Sequence, residues 1–285
     1  MFKMSMSVKV IIIVTVVASL KCSQTAAQTA VGLHCVPGCS CRQSTNPTSS
    51  LVAMNCSGDV GITSFSLPRL NAINISSLVF DLYLSNNSLT SIPASSFRSF
   101  AELELLSLRW NRLAVVKSGA FRGTALRRLD LTGNRLAAVR PGTFVGVEST
   151  LVELDLSWNE IACIDEAFVG LSTLSRLDLR HNRLASLTAR SLRGLSNLRH
   201  LRLDSNLIAE VDLVALNDLS RLTNLVLRGN PLSVTRLEFS WAGNSSLSYV
   251  DLSECWLKTV PCSIPDTVTY LQLRRNNITR LDARR

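Results

Sequence analysis

Leucines recur along this chain in one frame, L-x-x-L-x-L-x-x-N-x-L, with polar residues between them. The frame fits Val79/Leu82/Leu84/Asn87/Leu89, Leu103/Leu106/Leu108/Asn111/Leu113 and Leu126/Leu129/Leu131/Asn134/Leu136. It continues through Leu151/Leu154/Leu156/Asn159/Ile161, Leu174/Leu177/Leu179/Asn182/Leu184 and Leu198/Leu201/Leu203/Asn206/Ile208. Leu222/Leu225/Leu227/Asn230/Leu232, Leu247/Val250/Leu252/Cys255/Leu257 and Val268/Leu271/Leu273/Asn276/Ile278 complete nine repeats. Successive starts lie 24, 23, 25, 23, 24, 24, 25 and 21 residues apart. Alternate apolar residues in each L-x-L core predict a short strand with one buried face. A unit this small cannot bury its apolar side alone, so the repeats must stack into one continuous core. Asn at the ninth place suits a buried turn, where its amide serves backbone groups of adjacent coils. A second apolar column, Phe97, Phe121, Phe144 and Phe168 followed by Leu192 and Leu216, fills the wide side of the stack.

Composition agrees with a large core and removes several alternatives. The 285 residues are 46% hydrophobic and 18% charged, too apolar for a disordered tail. With 13 Gly and 8 Pro, neither collagen nor a flexible linker is available. Three His and scattered Cys leave little for a multi-metal site, and no metal or other cofactor is expected. No G-x-S-x-G, P-loop or H-E-x-x-H motif occurs, so no catalytic residues are assigned.

Lys3 and Lys9 precede an apolar run from Val10 to Leu20, followed by small residues up to Ala27. The run is too short for a bilayer, which needs roughly 20 residues, and matches a cleavable secretory signal over residues 1–27. Removing Lys3, Lys9 and Lys21 with it lowers the formal charge from +9 to +6. Cys35, Cys39, Cys41 and Cys56 then read C-x3-C-x-C-x14-C, which in a secreted chain favours two disulfides over zinc, with three connectivities open. Cys255 and Cys262, seven apart around Val260-Pro261, are near enough for a local bridge. Cys163 is then without a partner and reads as a small buried residue.

Nine repeats in register, with a cysteine cluster before them, resemble the extracellular leucine-rich repeat family of the Toll-like receptor and Slit ectodomain type. The resemblance implies an α/β repeat fold. It is a right-handed leucine-rich repeat solenoid, or horseshoe, with a parallel β-sheet on the concave face and an irregular or short-helical convex side. It also implies an N-terminal cysteine cap over residues 28–60, paired Cys35–Cys41 and Cys39–Cys56, with the repeats over 61–285. The Cys at position 255 is a replacement for Asn that the family consensus permits.

Fixing the inward residues fixes the outward ones. Between the two central leucines stand Asp130, Asp155 and Asp178, like charges stacked at about 4.8 Å. Flanking columns hold Arg128, Glu153, Arg176 and His200 on one side and Arg109 and Arg180 on the other, with Arg202 continuing the aspartate column. These charges read as a self-neutralising lattice or as a docking surface at repeats three to six. Trp110 and Trp158 share the next column with His181, and exposed Trp on a rigid scaffold is a typical interface anchor. Trp241 and Trp256 lie outside the strand positions and read as packing residues. Glycosylation sequons occur at Asn55, Asn74, Asn86, Asn244 and Asn277; Asn55 is set apart by its neighbour Cys56. A glycan at Asn86 would shift docking towards repeats two to six.

The chain stops at Arg285, within its ninth repeat and without a C-terminal cysteine cap, so it reads as a fragment of a longer receptor or a truncation shielded by a partner. Leu252 to Leu271 resembles the shorter, proline-containing repeats of Toll-like receptor ectodomains. These features imply an extracellular recognition module, secreted or on the outer side of the plasma membrane. Its expected ligand is a protein or glycan, and homo- or hetero-dimerisation is open to it. No membrane span is expected in this chain, and nucleic acid is a remote third ligand. The alternative is a matrix-organising protein that binds glycosaminoglycan or fibrils.

Overall fold

A computed structural model describes residues 39–43, 52–58, 78–212, 214–232, 246–261 and 264–279. The expected signal segment, Cys35, Cys262, Trp241, Asn74 and Asn244 lie outside the described residues. The strands, in chain order, begin with β1 (Ser40–Gln43), β2 (Val52–Asn55), β3 (Val79–Tyr83), β4 (Ser91–Ile92) and β5 (Leu105–Ser107). Next come β6 (Val115–Val116), β7 (Arg128–Asp130), β8 (Glu153–Asp155), β9 (Arg176–Asp178) and β10 (Ser186–Leu187). The last are β11 (His200–Arg202), β12 (Glu210–Val211), β13 (Asn224–Val226), β14 (Tyr249–Asp251) and β15 (Tyr270–Gln272).

Each of the nine leucine frames supplies one strand to a single eleven-stranded sheet, in the order β1-β2-β3-β5-β7-β8-β9-β11-β13-β14-β15. β1 and β2 pair antiparallel, and every later neighbour is parallel. The register is that of the repeat: Leu129 opposes Leu154, which opposes Leu177, which opposes Leu201. We number the coils one to nine by these frames. The fold is a leucine-rich repeat solenoid.

All the frame leucines of coils one to seven are buried, at 3% exposure or less, and form one cluster running the length of the stack. Phe97 stacks on Phe121 with centroids 6.1 Å apart and Phe144 on Phe168 at 6.2 Å, so the second apolar column packs ring on ring. The convex side takes the irregular form of the two expected. Among the described residues it consists of turns and two short ladders, β4 with β6 and β10 with β12, plus a single Ala138–Cys163 bridge.

The asparagine column works as proposed from sequence. Asn159 Nδ2 donates to Leu131 O of the preceding coil and to Leu156 O and Ser157 O of its own, while its Oδ1 accepts from Leu136 N. Asn111, Asn134, Asn182, Asn206 and Asn230 repeat this pattern. Cys255 takes the same place: its thiol donates to Leu227 O at 3.3 Å and to Ser253 O at 3.4 Å. It is buried and free, so the Cys255–Cys262 bridge is not formed; the side chain is turned into the stack, where burial pushes its thiol up to about 11. A thiol has no carboxamide oxygen to offer back, and Leu232 N turns to Asn230 O instead.

Cys39 is bonded to Cys56, and Cys41 is also disulfide-bonded. The buried reading of Cys163 is corrected: it is an exposed free thiol. It stands on the convex side between the inward Ile161 and Ile164, held there by its backbone bridge to Ala138.

Candidate functional site

The coil geometry gathers the outward residues of coils one to six into a groove of about 700 Å³ on the concave face. Nine of the residues singled out from sequence line it: Arg109, Arg128, Asp130, Glu153, Asp155, Arg176, Asp178, His200 and Arg202. Its floor is β7, β8 and β9, in which Asp130 opposes Asp155 and Asp155 opposes Asp178.

Each aspartate is tied back to its own strand end. Thr132 N donates to Asp130 Oδ1 at 3.0 Å, Ser157 N to Asp155 Oδ1 at 2.9 Å, and Arg180 N to Asp178 Oδ1 at 3.1 Å. Ser157 Oγ adds a second donor to Asp155 at 2.6 Å. These Asx-type contacts fix the carboxylates side by side, so the repulsion between them is built in. The arginines offset it unevenly. Arg109 reaches Asp130 at 3.4 Å, and Asp178 is met by Arg180 at 3.3 Å and Arg202 at 3.9 Å. Arg202 also forks onto Asp204 through Nε and Nη2, both at 3.2 Å. Glu153 has Arg176 at a loose 3.8 Å. Asp155, in the middle, has no ion-pair partner among the described residues.

Burial, reinforced by the neighbouring Asp155 charge, pushes the Asp178 carboxyl up to about 6 despite its two arginines. Asp130 is raised in the same direction, again by burial first. Burial, with Arg176 and Arg199 nearby, lowers His200, so its imidazole is neutral at neutral pH.

The tryptophan column is separate from this groove. Trp110, Trp158 and His181 follow the strand ends in a turn whose residues all have positive φ, at 51°, 56° and 52°. Asn86, Gly133, Ser205, Gly229, Glu254 and Arg275 occupy the same column with the same backbone sign. The column is therefore the rim of the sheet, not its face, and Trp110, Trp158, His181 and Arg180 do not line the groove. Both tryptophans are 49% exposed, and each leans on the next coil. Trp158 stacks on His181 with centroids 3.8 Å apart. Trp110 lies over Gly133, where a Cβ would come within 2.2 Å of the indole. Gly133 thus serves both its own φ of 68° and the seating of Trp110.

Sequence reading missed three features of this surface. Trp256 is 65% exposed rather than packed, because it sits between the Asn position and the next leucine. That column otherwise holds Ser88, Arg112, Arg135, Glu160, Arg183, Leu207, Pro231 and Asn277, and its polar majority was the available signal. Glu254 is bracketed by Arg228 at 2.8 Å and Arg275 at 3.0 Å, and these hydrogen bonds hold its carboxyl below the usual range. The third is the left-handed rim itself, signalled by Asn86, Gly133 and Gly229 in one column. Among the described sequons, Asn55, Asn86 and Asn277 are exposed.

A parallel sheet presenting a groove lined by charged residues over a leucine floor, with most apolar side chains spent on the stack, defines a repeat solenoid with an open concave surface. The leucine-rich repeat model matches residues 79–136, 124–184 and 172–232, more than half of the sequence, and the chain belongs to the leucine-rich repeat family. Among solved structures it resembles the complex of TLR13 with ssRNA13, at 21% identity and a TM-score of 0.63, over 78% of this chain. The match spans 41% of the TLR13 chain, so this chain corresponds to about two fifths of that receptor's length. No curated protein matches the sequence.

Proposed function

We propose that this chain is an extracellular recognition module that binds a protein or glycan on its concave face, as part of a cell-surface receptor or adhesion protein of innate-immune or developmental type. The observation that carries this reading is the uncompensated Asp155 at the centre of the groove, flanked by carboxylates that burial and mutual repulsion hold above their ordinary range. A lattice meant only to neutralise itself would place an arginine there. A ligand that offers a cation to Asp155 and an acceptor to Arg128 or Arg176 relieves the repulsion, and charge complementarity then sets specificity. Trp110 and Trp158 on the rim supply rigid aromatic anchors beside it.

On this reading residues 1–27 are a secretory signal, 28–60 an N-terminal cysteine cap that includes the Cys39–Cys56 bond, and 61–285 the repeats. Asn86, Asn277, Asn74 and Asn244 are sugar acceptors, and homo- or hetero-dimerisation is compatible with the open flanks. The TLR13 complex contains ssRNA. Nucleic acid suits this groove less well, because three stacked aspartates in its floor oppose a phosphate backbone. The matrix reading, with glycosaminoglycan or fibrils as ligand, draws on the net positive charge, but the arginines alternate with acids.

The test is staining of the source organism's cells and extracted matrix with the labelled, secreted chain. Asp155→Lys together with Arg176→Glu should reduce saturable staining at least about tenfold, whereas Arg112→Glu with Arg135→Glu on the flank should not. Equal staining by the concave variant and the wild type would end this reading. Loss on heparinase treatment, with the concave variant unaffected, would replace it with the matrix one.

A further inference from the structure

On the convex side, coils two and three part to leave a second groove of about 650 Å³. It opens between the two short ladders. β4 pairs with β6, but the next convex contact along the stack is the bridge from Ala138 to Cys163. The walls are small and apolar: Ala114, Val115 and Val116 from coil two face Ala137, Ala138 and Val139 from coil three, with Phe144 at the end. Val115 is 51% exposed, unlike Ile92, its neighbour's partner in the ladder, which is buried. Beneath lie the core leucines Leu131, Leu136 and Leu156, so the floor is apolar throughout. Among the described residues, the only charges that line it are two cations, Lys117 and Arg140, at corresponding positions of adjacent coils and both exposed.

We infer that this groove is a binding site for a long-chain fatty carboxylate. Its alkyl chain lies along the alanine and valine walls and its head group sits between Lys117 and Arg140. The volume falls in the range of small-ligand sites, which are mostly apolar with a few placed polar groups. Apart from the hydroxyls of Ser118 and Thr143 the lining side chains are apolar or cationic, so an alkyl chain gains by burial against the alanines and valines. Two cations without an acid among the lining residues select an anionic head over a neutral or cationic one. A β-strand segment is the competing occupant, since β6 pairs only with β4 and its other edge borders the groove; the pair of cations with no acid beside them favours a single anionic head group on an alkyl chain.

The experiment is titration of the full chain with cis-parinaric acid, followed by displacement with dodecanoate and with 1-dodecanol. Saturable 1:1 uptake is expected, displaced by dodecanoate much more readily than by the alcohol. Ala138→Trp, which fills the groove, should weaken uptake at least about tenfold, and Lys117→Gln with Arg140→Gln at least about fivefold for the carboxylate alone. Should Ala138→Trp melt early, Val115→Glu replaces it, placing a repelling carboxylate in the wall. Absence of saturable uptake, insensitivity to the wall variant, or equal displacement by acid and alcohol would each overturn the assignment. The concave variant Asp155→Lys with Arg176→Glu should bind parinarate as the wild type does, so this result stands apart from the ligand on the other face.

Discussion

At the scale of single residues, the buried asparagines do the most for the least volume. Asn159 satisfies four backbone groups, two in its own coil and two in the coil before. Asn159→Ala strands buried carbonyls and an amide, each at about 1–3 kcal/mol, so chemical denaturation should register a loss of at least ~3 kcal/mol. Asp178 works the other way. Its folded-state carboxyl titrates near 6, above its ordinary value of 3.8, so the protonated form fits the fold better. The stability it contributes is complete below pH 4 and is lost as pH rises through 6. Asp178→Asn keeps the acceptor for Arg180 N and should stabilise by about 1–2 kcal/mol at pH 7.5, with the gain vanishing at pH 4. Thermal melts across that window check the sign. Gly133→Ala should cost about 1 kcal/mol or more and shift the tryptophan emission, because the added methyl displaces Trp110 from its left-handed neighbour. A Trp110→Ala background should remove the steric part of that cost.

Among the elements, the stacked phenylalanines and the rim behave oppositely. Phe121 is fully buried against Phe97, and Phe121→Ala should destabilise by about 3–5 kcal/mol in a denaturant melt. Trp110→Ala with Trp158→Ala removes half-exposed rings from a turn whose backbone is already held by Trp110 N to Thr132 O and Trp158 N to Arg180 O. Ligand capture should fall while the melting temperature hardly moves; a matching loss of stability would make the two rings packing residues. How much of this was legible beforehand follows from what repeats. The strands, the leucine core and the asparagine column recur at one spacing, so nine copies report the same geometry. The ladder of Asp130, Asp155 and Asp178 was legible because the central column is fixed by the leucines on either side. Which arginine meets which aspartate was not, since long side chains choose partners by rotamer and not by register. The exposure of Cys163 was hidden because it was judged by residue type, and that of Trp256 because a place outside the strand positions was read as packing.

For the whole molecule, the core is one-dimensional: every coil is stabilised by its two neighbours and by little else. A lesion in the middle, such as Asn159→Ala, should therefore uncouple the coils on either side more than Asn276→Ala near the end of the described stack. The same stacking leaves the concave sheet rigid and its side chains free for a ligand, which makes the groove of coils one to six the claim on which the functional reading depends. Site-directed photo-crosslinking tests it most directly, with a benzophenone amino acid placed at Glu153 in the groove or at Ala162 on the convex side. On cells that the labelled chain stains, position 153 should yield a crosslinked partner that excess unlabelled chain suppresses, and position 162 should not. Crosslinking from 162 with none from 153 would contradict concave recognition.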